Sequence, residues 1–339
     1  MKALFIGGTG TISGAISKLV IEKGWDLYLL NRGNRLDQVP EGAKVITGDI
    51  HDEKAVAESI KDLHFDVVAD FIAFKPEHVE RDIRLFAEKT KQFIFVSSAS
   101  AYQKPLSYYK TSESTPLSNP HWEYSRDKIA CEDVLMAEYR KNQFPVTIVR
   151  PSHTYGEQKV PVAFYGKNGS WQVVDRIRKG KPVIIHGDGT SLWTLTHNSD
   201  FAKAFAGLMA NQGAIGEAVN ITSDEALTWN KIYDCIGAAL NMEVKKVHIA
   251  TDFLVSCRPD LEGPLLGDKA GCAVFDNSKV KRLVPDFVAT KRFDEGVRES
   301  IEYALARPEL QKPDEEFDRF CDKLIEVQRA ARNTFKESF

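Results

Sequence analysis

Short apolar runs recur through the first half of the chain, at residues 3–6, 27–30, 45–46, 67–69, 93–96 and 146–149. Each is followed by an amphipathic stretch. This alternation predicts βαβ units around a parallel sheet, because crossover helices cover both faces and leave the strands apolar throughout. Between the first two runs Ile16, Leu19 and Val20 fall at helical spacing, and Gly24 stands where a glycine helix stop is expected. The chain therefore opens strand, glycine turn, helix, strand. After Arg150 the texture changes to loops bearing Gly and Pro (GKNGSW, RKGKP, HGDGTS), separated by helical stretches.

The expected architecture is α/β, a doubly wound parallel sheet with a smaller C-terminal substrate-binding lobe. Residues 1–150, with returning segments near 180–225, would form the sheet; residues 151–310 would supply most of the lobe, and 311–339 a C-terminal helix. In the run 315–331, Phe317, Phe320, Leu324 and Val327 share one helical face. That face reads as packed on the body, with an oligomer contact as the alternative.

Composition narrows the functional classes. The 339 residues carry a formal net charge of only -3, so no global positive field favours nucleic acid or an anionic membrane. The five cysteines (Cys131, Cys235, Cys257, Cys272 and Cys321) are scattered, with no C-x-x-C pair and no His at metal-ligand spacing. They read as reduced thiols of a cytoplasmic protein without a metal site. The apolar stretch in MKALFIGGTG is too brief for a signal or a membrane span and reads as a buried strand.

The segment Gly7-Gly8-Thr9-Gly10-Thr11-Ile12-Ser13-Gly14 follows a strand and opens a helix. Glycines there let the backbone approach a pyrophosphate, and the N–H groups of Thr11 and Ile12 at the helix start would receive it. Ser13 occupies the place of the usual third glycine. An NAD enzyme usually offers an acid to the ribose hydroxyls at the end of the second strand. Here that strand ends Leu30-Asn31-Arg32-Gly33-Asn34-Arg35, with no acid and two guanidinium groups suited to a 2′-phosphate. NADP(H) is the preferred cofactor on this reading, with NAD(H) the alternative. Asp49 and Ile50 follow the third strand, where an Asp can accept from an adenine amino group; a surface turn is the alternative reading of that segment. The backbone of Phe71 and Ala73 follows the fourth strand beside the cofactor's ribose.

The fifth strand runs into Ser97-Ser98-Ala99-Ser100-Ala101-Tyr102, and the carboxyl ends of parallel strands face the ligand crevice. Tyr124 and Lys128 then fall at i and i+4, on one face of a helix. A phenol is a poor base at neutral pH, but a nearby ammonium and a cationic nicotinamide both favour the phenolate. Tyr124 could then exchange a proton with a substrate hydroxyl as hydride moves. Lys128 would also hold the nicotinamide ribose, and Ser98 would hydrogen-bond the substrate oxygen as charge develops.

The order of these features, continued by Arg150-Pro151-Ser152-His153-Thr154-Tyr155-Gly156, Gly187-Asp188-Gly189 and Phe275-Asp276-Asn277-Ser278-Lys279, resembles the extended, epimerase/dehydratase-type short-chain dehydrogenase/reductase family over residues 1–304. The resemblance implies a Rossmann-type sheet and an NAD(P)-dependent oxidoreductase or epimerase acting at a secondary alcohol or ketone. It selects Ser98 over Ser97, since the family's catalytic hydroxyl lies four residues before the strand-five Tyr, here Tyr102. It places Pro151 and His153 beside the cofactor, and it suggests a homodimer. Dehydratases of the family carry an Asp-Glu pair after the catalytic hydroxyl; here Ala99 and Ser100 stand there, which argues against water elimination.

Nucleotide-sugar members clamp a diphosphate with two arginines, at positions here held by Trp193 and Leu265. The expected substrate is therefore a sugar-like small molecule without a nucleotide tail, with Ser100, Tyr102 and Trp193 as candidate contacts; Trp193 would either stack on an apolar sugar face or pack within the lobe. A nucleotide-sugar epimerase using other phosphate contacts is the alternative. The Asn-Arg-Gly turn and the strand ending Asp70-Phe71-Ile72-Ala73 also look similar to an atypical branch that includes chloroplast stem-loop RNA-binding proteins. The intact Ser98, Tyr124 and Lys128 set and the near-neutral charge favour the enzyme reading, with no nucleic acid or membrane partner.

Overall fold

The computed structural model describes residues 1–338, and the chain divides into two compact units. The first comprises residues 1–154, 194–224 and 274–291; the second comprises 155–193, 225–273 and the described residues from 292 onward.

The first unit is built on seven strands. Those used below are β1 (Lys2–Ile6), β2 (Asp26–Asn31), β3 (Lys44–Thr47), β4 (Val67–Asp70), β5 (Phe93–Val96) and β6 (Val146–Pro151); the seventh is Ala218–Ile221. Spatial order is Ala218–Ile221, β6, β5, β4, β1, β2, β3, and every neighbouring pair is parallel. The expected Rossmann-type α/β sheet is present. Chain order reverses between β1 and β4, so their carboxyl ends diverge into the crevice that such sheets use for ligands.

Both sheet faces are buried, which explains the unbroken apolar runs. Phe5, Leu29, Ala69 and Ile94 join one cluster with Ile16 and Val20 of helix α1 (Thr11–Glu22) and with Phe201 and Phe205 of the helix Asn198–Leu208. Leu4, Ile6, Val68 and Phe95 join the other. That second cluster also holds Val56 of α2 (Glu53–Ser59), Val79 and Phe86 of α3 (Pro76–Phe86), and Leu135 of α4 (Glu123–Asn142). Alternate strand residues thus serve opposite layers. Helix α1 stops one residue before Lys23, and Gly24 takes φ +79°, the left-handed conformation a glycine stop supplies without strain.

In the second unit strand Val183–His186 pairs in parallel with Lys246–Ile249. Its terminal helix, Glu315–Glu337, buries Phe317, Cys321, Leu324 and Ile325. Val327, expected on that buried face, is instead 43% exposed, because Ile325 takes the inward place. The helix is tied to its unit by Arg176, which is almost fully buried and pairs with Asp318 at 2.6 Å and Asp322 at 2.8 Å. Among the described residues no helix is long and apolar enough to cross a membrane, and no group of three or more His, Cys, Asp or Glu is placed to hold a metal ion.

Candidate active site

The turn after β1 is shaped by what a side chain would strike. Gly7 and Gly8 take φ +104° and +93°, and a Cβ on Gly8 would come within 2.6 Å of Leu29 Cδ2. Two serines then pin the turn: Ser13 Oγ accepts the Gly10 N–H at 2.9 Å, and Ser17 Oγ donates to the Gly8 carbonyl at 3.1 Å. Ser13 in the third glycine's place is therefore a brace for the turn. The first helical bond runs from the Gly14 N–H to the Gly10 carbonyl, so the N–H groups of Thr11 and Ile12 have no carbonyl partner within α1. They form the exposed positive end of the helix dipole.

This turn opens onto a cavity of about 740 Å³. Of the sequence-expected cofactor residues, Gly7, Gly10, Asn31, Arg32, Arg35, Asp49, Ile50 and Phe71 line it. Asn31 is partly committed, its Oδ1 accepting the Gly33 N–H at 3.0 Å and so fixing the β2 turn. Arg32 and Arg35 are exposed and, among the described residues, neither forms an ion pair. Asp49 accepts the His51 N–H at 3.0 Å.

Ile72 lines the cavity too, together with three residues that the sequence did not mark, Phe74, His51 and His78. Ile72 and Phe74 are 41% and 45% exposed, unusual for large apolar groups beside a packed sheet. The two imidazoles meet edge to face, 5.1 Å apart, and the Phe74 N–H donates to His78 Nδ1 at 3.1 Å. Burial and the nearby Arg81 push the His78 pKa down. Loop 71–74 is held from below by Asp70, whose Oδ1 accepts the N–H groups of Ile72 and Ala73 and whose Oδ2 pairs with the buried Arg81 at 3.2 Å. A motif search could have flagged Asp70 as a turn-former; nothing in the sequence marks the two histidines as neighbours.

Helix α4 brings the proton-handling candidates. Lys128 is 2% exposed; its Nζ donates to the Ala73 carbonyl at 2.6 Å and the Val96 carbonyl at 2.7 Å, and lies 5.9 Å from the centre of the Tyr124 ring. Burial pulls its pKa down to about 8. One ammonium thus joins the loop after β4 to the end of β5, 4.7 and 4.8 Å from the Phe95 and Phe74 ring centres and somewhat farther from the phenol ring. Ala73 serves the site through this carbonyl and lies outside the cavity lining. Tyr124 is half-buried, flanked by Trp122 at 4.9 Å and Phe74 at 6.3 Å between ring centres. Ser98 caps a short turn after β5 and is half-buried, its Oγ 2.8 Å from Ser100 Oγ.

Three expected substrate contacts are placed otherwise. Ser100 is 4% exposed, its hydroxyl held between Ser98 and Ser125. Tyr102 is 1% exposed; its hydroxyl donates to Asn220 Oδ1 at 2.7 Å and accepts from Arg150 at 3.0 Å, and burial pushes its pKa up to about 12. Arg150 in turn chelates Glu132 of α4, whose Oε1 also accepts from Ser97. Tyr102 therefore belongs to a buried brace between α4 and the ends of β5 and β6. Trp193, in the second unit, is 3% exposed and packs on Trp229 at 5.5 Å. Aromatic residue type suggested a sugar platform; the buried surface of these rings is already spent on packing. Pro151 is buried at the end of β6, and His153 is half-buried in the short strand that follows.

The fingerprint turn, the Ser98 hydroxyl and the Lys128 ammonium thus lie at the carboxyl side of β1, β5 and β4, with Tyr124 on the same helix as Lys128. The family described as the NAD dependent epimerase/dehydratase family matches residues 3–222. Among curated proteins the chain is 23% identical over 287 residues to the 2′-dehydrokanamycin reductase of Streptomyces kanamyceticus, covering 85% of this chain and 80% of that protein. It is 26% identical over 244 residues to the chloroplast stem-loop binding protein of 41 kDa b of Arabidopsis thaliana, covering 68% of this chain and 60% of that protein. Among solved structures, UDP-glucuronic acid 4-epimerase of Bacillus cereus, in complex with UDP-glucuronic acid and NAD, superposes with a TM-score of 0.73 at 18% identity, over 90% of this chain and 99% of that one. The chain belongs to the NAD-dependent epimerase/dehydratase family, with the extended short-chain dehydrogenase fold, and is an enzyme of the oxidoreductase/epimerase type.

Proposed function

We propose that this protein transfers hydride between NADP(H) and a secondary alcohol or ketone of a sugar-like substrate, with Tyr124 as acid and base, Lys128 as its electrostatic partner and Ser98 as donor to the substrate oxygen. The observation that carries the reading is the buried Lys128 ammonium beside the Tyr124 ring, bridging the loop after β4 and the end of β5. A positive charge there favours the phenolate over the phenol. The cofactor, when bound, supplies or accepts the hydride. The N–H groups of Thr11 and Ile12 would hold its pyrophosphate, and Lys128 its nicotinamide ribose. Pro151 and His153 would flank the nicotinamide.

The preference for NADP(H) rests on Arg32 and Arg35, exposed in the cavity lining with no carboxylate at the end of β2. The absence of a nucleotide tail on the substrate rests on Trp193 and Leu265. Both are buried, so neither position offers a cation to a diphosphate. The relative named for reduction of 2′-dehydrokanamycin gives a precedent for a carbonyl substrate of this kind. By family resemblance the enzyme assembles as a homodimer, which sedimentation equilibrium would check.

The test is a turnover screen with NADPH and NADH against free keto-sugars, 2′-dehydrokanamycin and UDP-glucose. Oxidation of NADPH by a tail-free ketone is the expected result. Turnover of UDP-glucose with free sugars inert would move the assignment to a nucleotide-sugar epimerase; cofactor retained through purification, with products showing no net redox change, would instead make the enzyme a transient-oxidation epimerase. A second reading, RNA binding, is favoured by the stem-loop-binding relative and by the Asn-Arg-Gly turn and Asp70–Ala73 segment that resemble its branch. A salt-sensitive gel shift at sub-micromolar protein would support it.

A further inference from the structure

A hydroxyl carries one proton and two acceptor positions, so three linked hydroxyls can be assigned directions by counting. Ser125, in the first turn of α4 and fully buried, donates its proton to Ser100 Oγ at 2.8 Å. Ser100 Oγ lies 2.8 Å from Ser98 Oγ, and the Ser100 N–H donates to Ser98 Oγ at 3.2 Å. Were Ser98 to donate to Ser100, the buried Ser100 hydroxyl would accept twice and its own proton would lack an acceptor, an unfavourable state for a group out of contact with water. The reverse direction gives both buried hydroxyls, Ser125 and Ser100, an acceptor. Ser98 then accepts from both the N–H and the O–H of Ser100, and its remaining proton is left for the half-buried side that faces away from them.

We propose that Ser100 and Ser125 are positioning residues that fix Ser98 as a hydrogen-bond donor. The Ser125→Ser100→Ser98 chain makes that hydroxyl ready for a substrate oxygen on which negative charge develops. No bond is made or broken in the chain; Tyr124 remains the group that exchanges the proton. Because Ser125 adjoins Tyr124 in sequence, the same chain links the strand-five turn to the helix carrying the phenol. The inference rests on the catalytic role proposed above for Ser98.

Neutron diffraction from deuterium-exchanged crystals of the full chain tests the direction without any substrate. Deuterons are expected on the Ser125–Ser100 and Ser100–Ser98 lines, with the Ser98 deuteron off the latter. A Ser98 deuteron lying on the line to Ser100 Oγ would overturn the proposal. In turnover of the fastest ketone from the screen, Ser100→Ala and Ser125→Ala are each expected to lower kcat about tenfold, with KM and NADPH Kd within twofold of wild type; Ser100→Thr should restore most of the loss. The loss should disappear in a Ser98→Ala background. Unchanged kcat, or an equal loss without Ser98, would refute the positioning role. Full activity of Ser98→Ala would instead count against the catalytic reading, while the deuteron positions still judge the direction.

Discussion

The crevice of the first unit and the aromatic knot of the second are both rich in polar and aromatic side chains, yet they spend them differently. In the knot, the Lys269 carbonyl lies within 2.9 Å of His186 Nε2 and 3.2 Å of Trp229 Nε1, while Trp193 packs at a tilt of 31° on Trp229. These aromatic groups are buried to within a few per cent. In the crevice, Arg32 and Arg35 keep their guanidinium groups in solvent, and Ile72 and Phe74 leave over a third of their surface uncovered. Lys128 is buried but placed beside a half-exposed phenol. A group that has spent its bonding capacity inside the fold is structure; one held rigidly with capacity to spare is a candidate for chemistry. By that measure Trp193 belongs to the first kind and Ser98, half-buried after β5, to the second.

The sharpest way to separate the two regions is to remove one ring from each. Tyr124→Phe should lower turnover about a thousandfold, within the range for losing a general acid–base group, with NADPH Kd and thermal stability little changed. Trp229→Ala should do the opposite, costing about 3–5 kcal/mol of unfolding free energy as read by denaturant titration. A stability loss of that size in Tyr124→Phe, with turnover preserved, would erase the distinction.

Acid and alkali should also act on different regions. Burial lowers the folded pKa of Lys128 to about 8, so between pH 8 and its ordinary value of 10.5 the unfolded chain binds more protons than the folded one. The cost of burying its charge is fully present below pH 8 and is relieved as pH rises. Relative to Lys128→Met, wild type should gain about 3 kcal/mol across that window. His186, lowered from 6.5 to about 4 by burial, carries the same sign in another range. Its neutral form supports the fold above pH 6.5, and about 3 kcal/mol is lost as pH falls to 4. Parallel denaturant titrations of wild type, Lys128→Met and His186→Phe would show whether each pH dependence vanishes with its own residue.

The smallest effects concern cofactor choice. Arg32→Ala and Arg35→Ala should each weaken NADPH by about 1.5–3 kcal/mol, roughly 10- to 100-fold in Kd, and leave NADH nearly unchanged. Equal losses for both cofactors would show that the guanidinium groups touch something other than the 2′-phosphate.

Much of this was legible in the residues. Two-sided burial makes parallel strands uniformly apolar, so the runs at 3–6 and 93–96 gave the sheet, and the glycine turn lay where strand and helix meet. The Tyr124 and Lys128 spacing needed only helical geometry. What stayed hidden depended on packing between distant segments. Ser100 and Tyr102 share the strand-five turn with Ser98, but only the approach of Ser125, Arg150 and Asn220 shows that their hydroxyls are taken. His51 and His78 meet across two crossovers, and Val327 turned outward because Ile325 filled the inner face. Residue type announced chemical capacity; contacts alone showed whether it was already used.

The most direct measurement is deuterium transfer from 4-deuterated NADPH to the fastest ketone of the screen, followed by mass spectrometry in wild type and Tyr124→Phe. Label on the carbinol carbon of the wild-type product, falling about a thousandfold in rate in the variant, is the expected result. Failure of the wild type to take up NADPH, or label transfer by Tyr124→Phe at the wild-type rate, would contradict the assignment of Tyr124 and Lys128 as the reacting pair.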